Sequence, residues 1–193
     1  YGIGGADFSS TTDLTAAVVL FMLPNDPHIY VMAMFWLPEE LLERRVREDR
    51  IPYDLWKDQG YLRTCEGNKV RQKDVTDWFL EVQNDLDCYI YRGGYDAWSA
   101  SYWVDEMQET FGKGVFTPVQ QTMKVLSLPM KQLGADFDSK LIVYNNNPVL
   151  KWCLANTGIV EDKNGNIKPN KTSKARKRID GLAALLDAFV VFQ

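Results

Sequence analysis

Histidine and cysteine are scarce in this sequence, and their scarcity excludes two classes of site. The 193 residues include one histidine, His28, and three cysteines, Cys65, Cys88 and Cys153. No CxxC pair is present, so we predict no zinc site. No serine or cysteine has a plausible histidine partner, which argues against a hydrolase triad. The odd, sparse cysteine count is typical of a reducing compartment rather than of a disulfide-stabilised domain.

Long apolar runs are also missing. The longest, near residues 16–23 and 29–37, are well short of the roughly 20 residues that a spanning helix needs, so we predict no membrane partner. Nothing resembles a signal peptide. The sequence has no Gly-x-x-x-x-Gly-Lys-Ser/Thr motif, so this segment is not itself an ATPase. Because it begins with Tyr1 rather than Met, we expect a domain of a longer protein.

The composition indicates one folded domain over residues 1–193. Hydrophobic residues make up 46% of the chain and charged residues 25%, which is enough apolar surface for a core and does not match the pattern of a disordered chain. The net charge is −4. Any binding of nucleic acid must therefore depend on a local basic surface.

Hydrophobic periodicity and turn residues predict a mixed α/β domain, because strands interleave with helices after an initial meander. The predicted strands are Tyr1–Ser9, Leu14–Leu23, Ile29–Leu37, Tyr61–Thr64, Asp87–Tyr91 (ended by Gly93-Gly94), Val115–Val119 and a hairpin over Gly158–Asn170. The predicted helices are Pro38–Asp49, Tyr53–Gln59, Val70–Asp85, Ala97–Phe111, Gln120–Leu133 (broken near Pro129), Asp138–Tyr144, Pro148–Ala155 and Ile179–Phe192.

Three aspartates lie where burial is expected. Asp7 lies in the first strand, Asp96 lies just past the strand ended by the glycine pair, and Asp180 begins the apolar last helix. Buried carboxylates cost several kcal/mol unless they are paired or bound to a metal. If the three converge, repulsion would force protons onto them unless cations are present. Two divalent ions would solve this, and oxygen ligands favour Mg²⁺ or Mn²⁺ over Zn²⁺.

Each of these aspartates also has a purely structural interpretation. Asp7 could accept hydrogen bonds from backbone N–H groups at a strand end, Asp96 could cap a turn, and Asp180 could N-cap its helix. The three aspartates are far apart in the sequence, so their spacing does not indicate a shared local structure. From the residues alone, both interpretations stay open.

A basic segment precedes the last helix. Residues 168–178 contain six cations, namely Lys168, Lys171, Lys174, Arg176, Lys177 and Arg178. A solvated charged loop is the simpler interpretation. However, the segment comes immediately before Asp180, which would place phosphate-binding cations beside a carboxylate site. We therefore predict that Lys171, Lys174, Arg176, Lys177 and Arg178 form a phosphate-binding surface, as would suit contact with a DNA backbone.

Short segments in a fixed order point to a family. They include Gly5-Ala6-Asp7-Phe8-Ser9, Phe35-Trp36-Leu37-Pro38-Glu39, Tyr53-Asp54-Leu55-Trp56, Tyr95-Asp96-Ala97-Trp98, Asn147-Pro148 and Ile179-Asp180-Gly181-Leu182. With these segments the sequence resembles the C-terminal nuclease domain of the large terminase subunit of tailed double-stranded DNA bacteriophages. Each segment is unspecific alone, whereas the ordered set covers nearly the whole chain and is specific.

The resemblance implies a ribonuclease H-like fold, with a central mixed sheet flanked by helices. It implies a Mg²⁺- or Mn²⁺-dependent endonuclease that cuts concatemeric phage DNA during packaging, with Asp7, Asp96 and Asp180 as catalytic metal ligands. The implied partners are double-stranded DNA, the ATPase motor domain of the same full-length protein, the portal and the small terminase subunit. The implied location is the host cytoplasm.

Two alternatives stay open at this point. One is another ribonuclease H-like nuclease, such as a resolvase or integrase core, which branched-DNA preference or strand-transfer products would reveal. The other is a non-catalytic module that binds DNA or the portal and in which the aspartates act as caps. A module of that kind would show no binding of Mg²⁺ or Mn²⁺.

Overall fold

A twisted mixed sheet forms the centre of the molecule. The computed structural model describes residues 1–8, 14–98, 100, 102–171 and 177–193. Over these ranges, seven strands form one sheet in the order β4-β3-β2-β1-β5-β6, with β7 also paired to β3. Pairing of β1 with β2 and of β2 with β3 is antiparallel, and the other pairings in this sheet are parallel. A separate two-stranded hairpin is formed by β8 and β9.

The elements alternate along the chain as the mixed α/β prediction requires. The strands are β1 (Gly2–Asp7), β2 (Thr15–Phe21), β3 (Ile29–Pro38), β4 (Leu62–Cys65), β5 (Ile90–Asp96), β6 (Phe116–Val119), β7 (Ile142–Val143), β8 (Thr157–Glu161) and β9 (Ile167–Lys171). The helices are α1 (Leu42–Arg45, flanked by the helical turns Glu39–Leu41 and Val46–Arg50), α2 (Tyr53–Asp58), α3 (Gln72–Asp85), α4 (Val104–Phe111), α5 (Met123–Asp138), α6 (Pro148–Ala155) and α7 (Asp180–Phe192).

The sheet is buried on both faces. In β2, Val18 packs with the core that contains α5, α6 and α7, whereas its neighbour Val19 packs with the core that contains α3 and α4. Successive strand residues point to opposite faces, so a continuous apolar run suits a strand covered on both sides. This is why β2 and β3 have no polar face in the sequence.

Helix α7 lies unusually close to the centre of the sheet. A Cβ atom added to Gly5 of β1 would lie 2.1 Å from the carbonyl oxygen of Ala184, and one added to Gly94 of β5 would lie 2.4 Å from that of Asp187. Glycine at these two positions lets the helix backbone approach the strands directly. The same contacts explain why β5 continues through Gly93-Gly94 to Asp96, where the sequence predicts an end.

Two other predicted elements differ in the structure. Helix α5 runs unbroken from Met123 to Asp138 with Pro129 inside it; Pro129 is buried there, so packing offsets the backbone hydrogen bond that proline lacks. The predicted helix Asp138–Tyr144 is wrong. Lys140 adopts a left-handed φ of 59° after the end of α5, and Ile142 then pairs with Ile29 as part of β7.

The predicted helix Ala97–Phe111 is also shorter in the structure. Its regular part, α4, begins at Val104, and turns precede it, with hydrogen bonds from Ala100 N to Asp96 O and from Trp103 N to Ala100 O. The hairpin predicted over Gly158–Asn170 is confirmed as β8 and β9. Among the helices that the structure describes, none combines the length and apolar character needed to cross a lipid bilayer.

Candidate active site

Asp7 and Asp96 end two neighbouring parallel strands. The last paired residues of β1 and β5 are Ala6 and Tyr95, so the two aspartates follow one step further along the same register. Adjacent strands lie about 4.8 Å apart. Carboxyl ends of parallel strands are where α/β sheets place functional groups. The fold therefore brings two of the three sequence-predicted aspartates to the same edge.

Both aspartates also lie on the face of the sheet that α7 covers. Asp7 has the same strand parity as Gly5, and Asp96 the same parity as Gly94, and these glycines contact α7 directly. Alternate residues of a strand share a face. Since Asp180 is the first residue of α7, the helix that covers the two strand ends also carries the third aspartate.

The charges of Asp7 and Asp180 both act on Cys153 of α6. Its thiol is buried, and burial, with further contributions from the negative charges of Asp180 and Asp7, raises its pKa well above the usual value. Both carboxylates are thus close enough to act on the same sulfur. A thiol that keeps its proton does not compete with carboxylates for a hard cation.

The three aspartates differ in exposure. Asp180 is only 4% exposed, whereas Asp7 and Asp96 are partly exposed at their strand ends. Asp96 is also oriented by its own loop, because its Oδ1 accepts a hydrogen bond from the backbone N–H of Trp98 at 2.9 Å. The two partly exposed carboxylates can be reached from solvent, and the buried one lies at the start of the helix that covers their face of the sheet.

The structure does not show a complete metal-binding cluster. Within the described ranges, no group of three or more His, Cys, Asp or Glu side chains has the proximity needed to hold one ion. The oxygen-only donor set of Asp7, Asp96 and Asp180 does fit Mg²⁺ or Mn²⁺ chemically. Their role as metal ligands stays a prediction.

A fourth carboxylate, Asp187, was missed by the sequence reasoning. It is fully buried on α7, and its Oδ1 accepts a hydrogen bond from Gln121 Nε2 at 2.8 Å. Burial raises its pKa well above the usual range, with a contribution from the negative charge of Asp96. One signal was available: Asp187 is the only charged residue in 181–193, and such an isolated charge in an apolar helix needs an explanation.

The predicted DNA-contacting residues are only partly described. Lys171 ends β9, opposite Thr157, and Lys177 is half-buried shortly before α7. Lys174 and Arg176 lie outside the described residues.

The side chain of Arg178 is buried, whereas the sequence predicts that it contacts DNA. Its side chain is 9% exposed, and its Nη2 lies 3.7 Å from Oδ2 of Asp49, which is also buried. The Asp49 carboxylate accepts a hydrogen bond from the hydroxyl of Tyr53 at 2.9 Å, and burial, together with Asp49, raises the pKa of Tyr53. The backbone carbonyl of Arg178 accepts a hydrogen bond from Asn156 Nδ2. Because Arg178 anchors the entry to α7 from inside, we leave it out of the proposed DNA contacts.

A family model described as the terminase large subunit endonuclease domain matches residues 3–193. The chain belongs to this family. The large terminase subunit of Enterobacteria phage HK97 is 32% identical over 185 residues, which cover 94% of this chain and 35% of that protein. This terminase domain thus spans about a third of the length of that relative.

Solved structures share the fold of this terminase domain. The crystal structure of the HK97 bacteriophage large terminase matches with a TM-score of 0.85 at 29% identity, over 97% of this chain and 38% of that chain. The large terminase nuclease from thermophilic phage G20c with bound magnesium gives a TM-score of 0.59 at 14% identity, over 97% and 79% of the chains. The large terminase nuclease domain from bacteriophage SPP1 with bound Mn gives 0.55 at 17%, over 98% and 85%. The predicted ribonuclease H-like fold is confirmed.

Proposed function

We propose that this domain is a Mg²⁺- or Mn²⁺-dependent endonuclease that cuts concatemeric phage double-stranded DNA during genome packaging. The observation that carries the proposal is the placement of Asp7 and Asp96 on adjacent strand ends, under the helix that begins with Asp180, in a member of the terminase nuclease family. Two solved relatives of the same fold contain magnesium and Mn, which supports the choice of metals.

The proposed roles of the residues follow from their positions. Asp7 and Asp96 would hold two divalent ions from the partly exposed strand ends, and Asp180 would complete the site from α7. The Trp98 N–H keeps the Asp96 carboxylate turned in one direction. When bound, a pair of such ions activates a water and stabilises the leaving 3′ oxygen of a phosphodiester. The buried surroundings of Asp180 keep bulk water from weakening the charge interactions.

The experiment is a plasmid-nicking assay with Mn²⁺, Mg²⁺ or EDTA, in which Asp7→Asn removes the charge but keeps the shape. We expect the variant to abolish Mn²⁺-dependent nicking while the melting temperature stays close to that of the wild type. Asp77→Asn, which changes an exposed carboxylate of α3, is the matched control and should nick normally. Unaltered nicking by Asp7→Asn would remove Asp7 from the site. Strand-transfer products, or a strong preference for branched DNA, would favour a resolvase- or integrase-like activity instead.

We further propose that Lys171, Lys174, Arg176 and Lys177 bind the DNA backbone without reading sequence. Each phosphate contact contributes about 0.9 to the slope of log affinity against log salt. Changing all four to Gln should therefore weaken binding and flatten that slope, measured by fluorescence anisotropy in Ca²⁺. A slope equal to that of the wild type would instead support the interpretation of this segment as a solvated charged loop.

The partners of the full-length protein are also proposals. We propose that an ATPase motor domain accompanies this domain in one polypeptide, and that the portal and the small terminase subunit bind the assembly in the host cytoplasm. The span of this chain, about a third of the HK97 large terminase subunit, leaves room for such a domain. Co-purification of the full-length protein with each partner tests the proposal, and a full-length protein without ATPase activity would contradict it.

A further inference from the structure

A buried polar pair ties the end of the sheet to α7. Asp187 is 0% exposed, and its Oδ1 lies 2.8 Å from Gln121 Nε2. The same amide donates to the carbonyl oxygen of Val119 at 3.3 Å. Gln121 follows β6 by two residues, so one side chain joins the carboxyl end of β6 to the middle of the helix.

That end of β6 is also the neighbour of the candidate site. Val119 lies opposite Asp96 in the register of β5 and β6, and the Val119 carbonyl also accepts the backbone N–H of Ala97 at 3.5 Å. The Gln121 amide and the backbone that follows Asp96 therefore meet at the same oxygen. A shift of Gln121 would be transmitted to the strand end that holds Asp96.

On the helix side, the pair holds α7 at Asp187, in the same helix that begins with Asp180. Asp187 follows Asp180 by two helical turns, or about 10 Å along the axis, and the carbonyl of Asp187 is the atom that packs against Gly94. A helix held at this point cannot slide or rotate without moving its first residue. The pair thus connects Asp96 on the sheet with Asp180 on the helix.

The chemistry of the pair argues against a simple packing role. The Oδ2 atom of Asp187 is buried and has no hydrogen-bond partner among the described residues, which is unfavourable in an apolar interior. The residues around it on α7 are Leu, Ala, Phe and Val, and such a residue would pack there without that cost. A carboxylate at this position is useful when an oriented polar contact is required.

We propose that Gln121 and Asp187 are positioning residues, forming a buried clamp that fixes the strand end of Asp96 relative to the helix start of Asp180, the two places from which carboxylates would bind divalent ions. The clamp deepens the proposed nuclease function and rests on it. Neither side chain is assigned a contact with substrate. Their contribution is to hold one strand end and one helix end in fixed positions relative to each other, so that the carboxylates at those ends would be able to contact the ions.

The test compares this pair with a matched pair elsewhere in the chain. Gln132 Nε2 donates to Asp136 Oδ1, also at 2.8 Å, close to β7, which pairs with the start of β3 at the opposite end of the sheet. Gln121→Ala and Asp187→Leu disrupt the clamp, and Gln132→Ala and Asp136→Leu disrupt the control pair. Asp187→Asn keeps an oxygen that accepts from Gln121. Gln121 is half-buried, so its variant keeps the test usable if Asp187→Leu does not fold.

The primary measurement is Mn²⁺ binding by isothermal titration calorimetry, with the Mn²⁺ dependence of nicking and the melting temperature beside it. Disruption of groups that orient metal ligands costs about 10–100-fold in metal affinity or activity. We expect that loss for Gln121→Ala and Asp187→Leu, recovery of most of the affinity in Asp187→Asn, and wild-type affinity in both control variants whatever their melting temperatures.

The outcomes separate the clamp from the proposed function. If the wild type nicks DNA in an Asp7-dependent manner, and the clamp variants bind Mn²⁺ as the wild type does, the clamp alone is overturned. Equal losses of Mn²⁺ affinity in the clamp and control variants would also overturn it, because general destabilisation would then explain the effect. If the wild type binds no Mn²⁺, both the clamp and the proposed function are wrong.

Discussion

Substitution of Gly5 by alanine tests the close contact between β1 and α7. The added Cβ would lie 2.1 Å from the Ala184 carbonyl oxygen and 2.7 Å from the Ala188 Cβ. Both obstacles belong to the helix itself, and one of them is backbone, so no flexible side chain can move aside. Because real Cβ contacts essentially never fall below 3.0 Å, the helix must move by roughly 1 Å.

The expected cost follows from this displacement. Overpacking a well-packed core costs about 1–3 kcal/mol and occasionally more, and a backbone obstacle places Gly5→Ala at the upper end. For a domain of this size, about 3 kcal/mol corresponds to a melting temperature lower by about 6–12 °C. Because α7 carries Asp180, we also expect weaker Mn²⁺-dependent nicking at temperatures where the variant is folded.

Gly134→Ala is the matched control. Gly134 lies inside α5, and an added Cβ would meet nothing within 4 Å. The same substitution should therefore stabilise the protein by up to about 1 kcal/mol, since alanine favours a helix over glycine. Urea and thermal unfolding of both variants provide the comparison. If Gly5→Ala is as stable as the wild type, α7 does not lie against β1 as described, and the placement of Asp180 above Asp7 loses its support.

Asp49→Ala should lower the free energy of unfolding by about 3–5 kcal/mol, because it removes the carboxylate beside the buried guanidinium of Arg178. By contrast Asp77→Ala, which breaks an exposed ion pair of α3, should cost less than about 1 kcal/mol; equal urea midpoints for the two variants would contradict the buried pair. Burial raises the pKa of Asp187, so the native state keeps a proton that the unfolded chain releases. The stability of the wild type relative to Asp187→Asn should therefore fall as the pH rises from about 4. A stability difference that is constant with pH would refute this.

Sequence reasoning located the catalytic candidates because each depends on a local feature. Asp7 ends an apolar strand, and Asp180 begins an apolar helix, so their elements were predictable from periodicity. The hairpin was predictable from Asn164-Gly165, and Gly165 adopts a φ of 76° in the structure. These signals depend on neighbours within a few residues, which a single sequence contains.

Features that depend on distant packing were not predictable in this way. In the sequence, Gly93 and Gly94 suggest that β5 ends there. In the structure, glycine is needed at both positions because Phe116 packs closely on one face of the strand and α7 on the other. Arg178 belongs to a basic run, but the partner that draws it inside is Asp49, far away in the chain. The Gln121–Asp187 pair likewise joins residues separated by 66 positions. In each case the partner is fixed by the fold rather than by spacing.

The packing of α7 on β1 has a consequence for the order in which the protein matures. The contact joins residues near position 5 with residues near position 184, and contacts between such distant parts of a chain form late because the intervening loop must first be closed. During translation, β1 leaves the ribosome long before its helix exists. A nascent or truncated chain that lacks α7 has no Asp180 beside its strand ends, so the candidate site cannot be completed before the last helix has been synthesised and has packed.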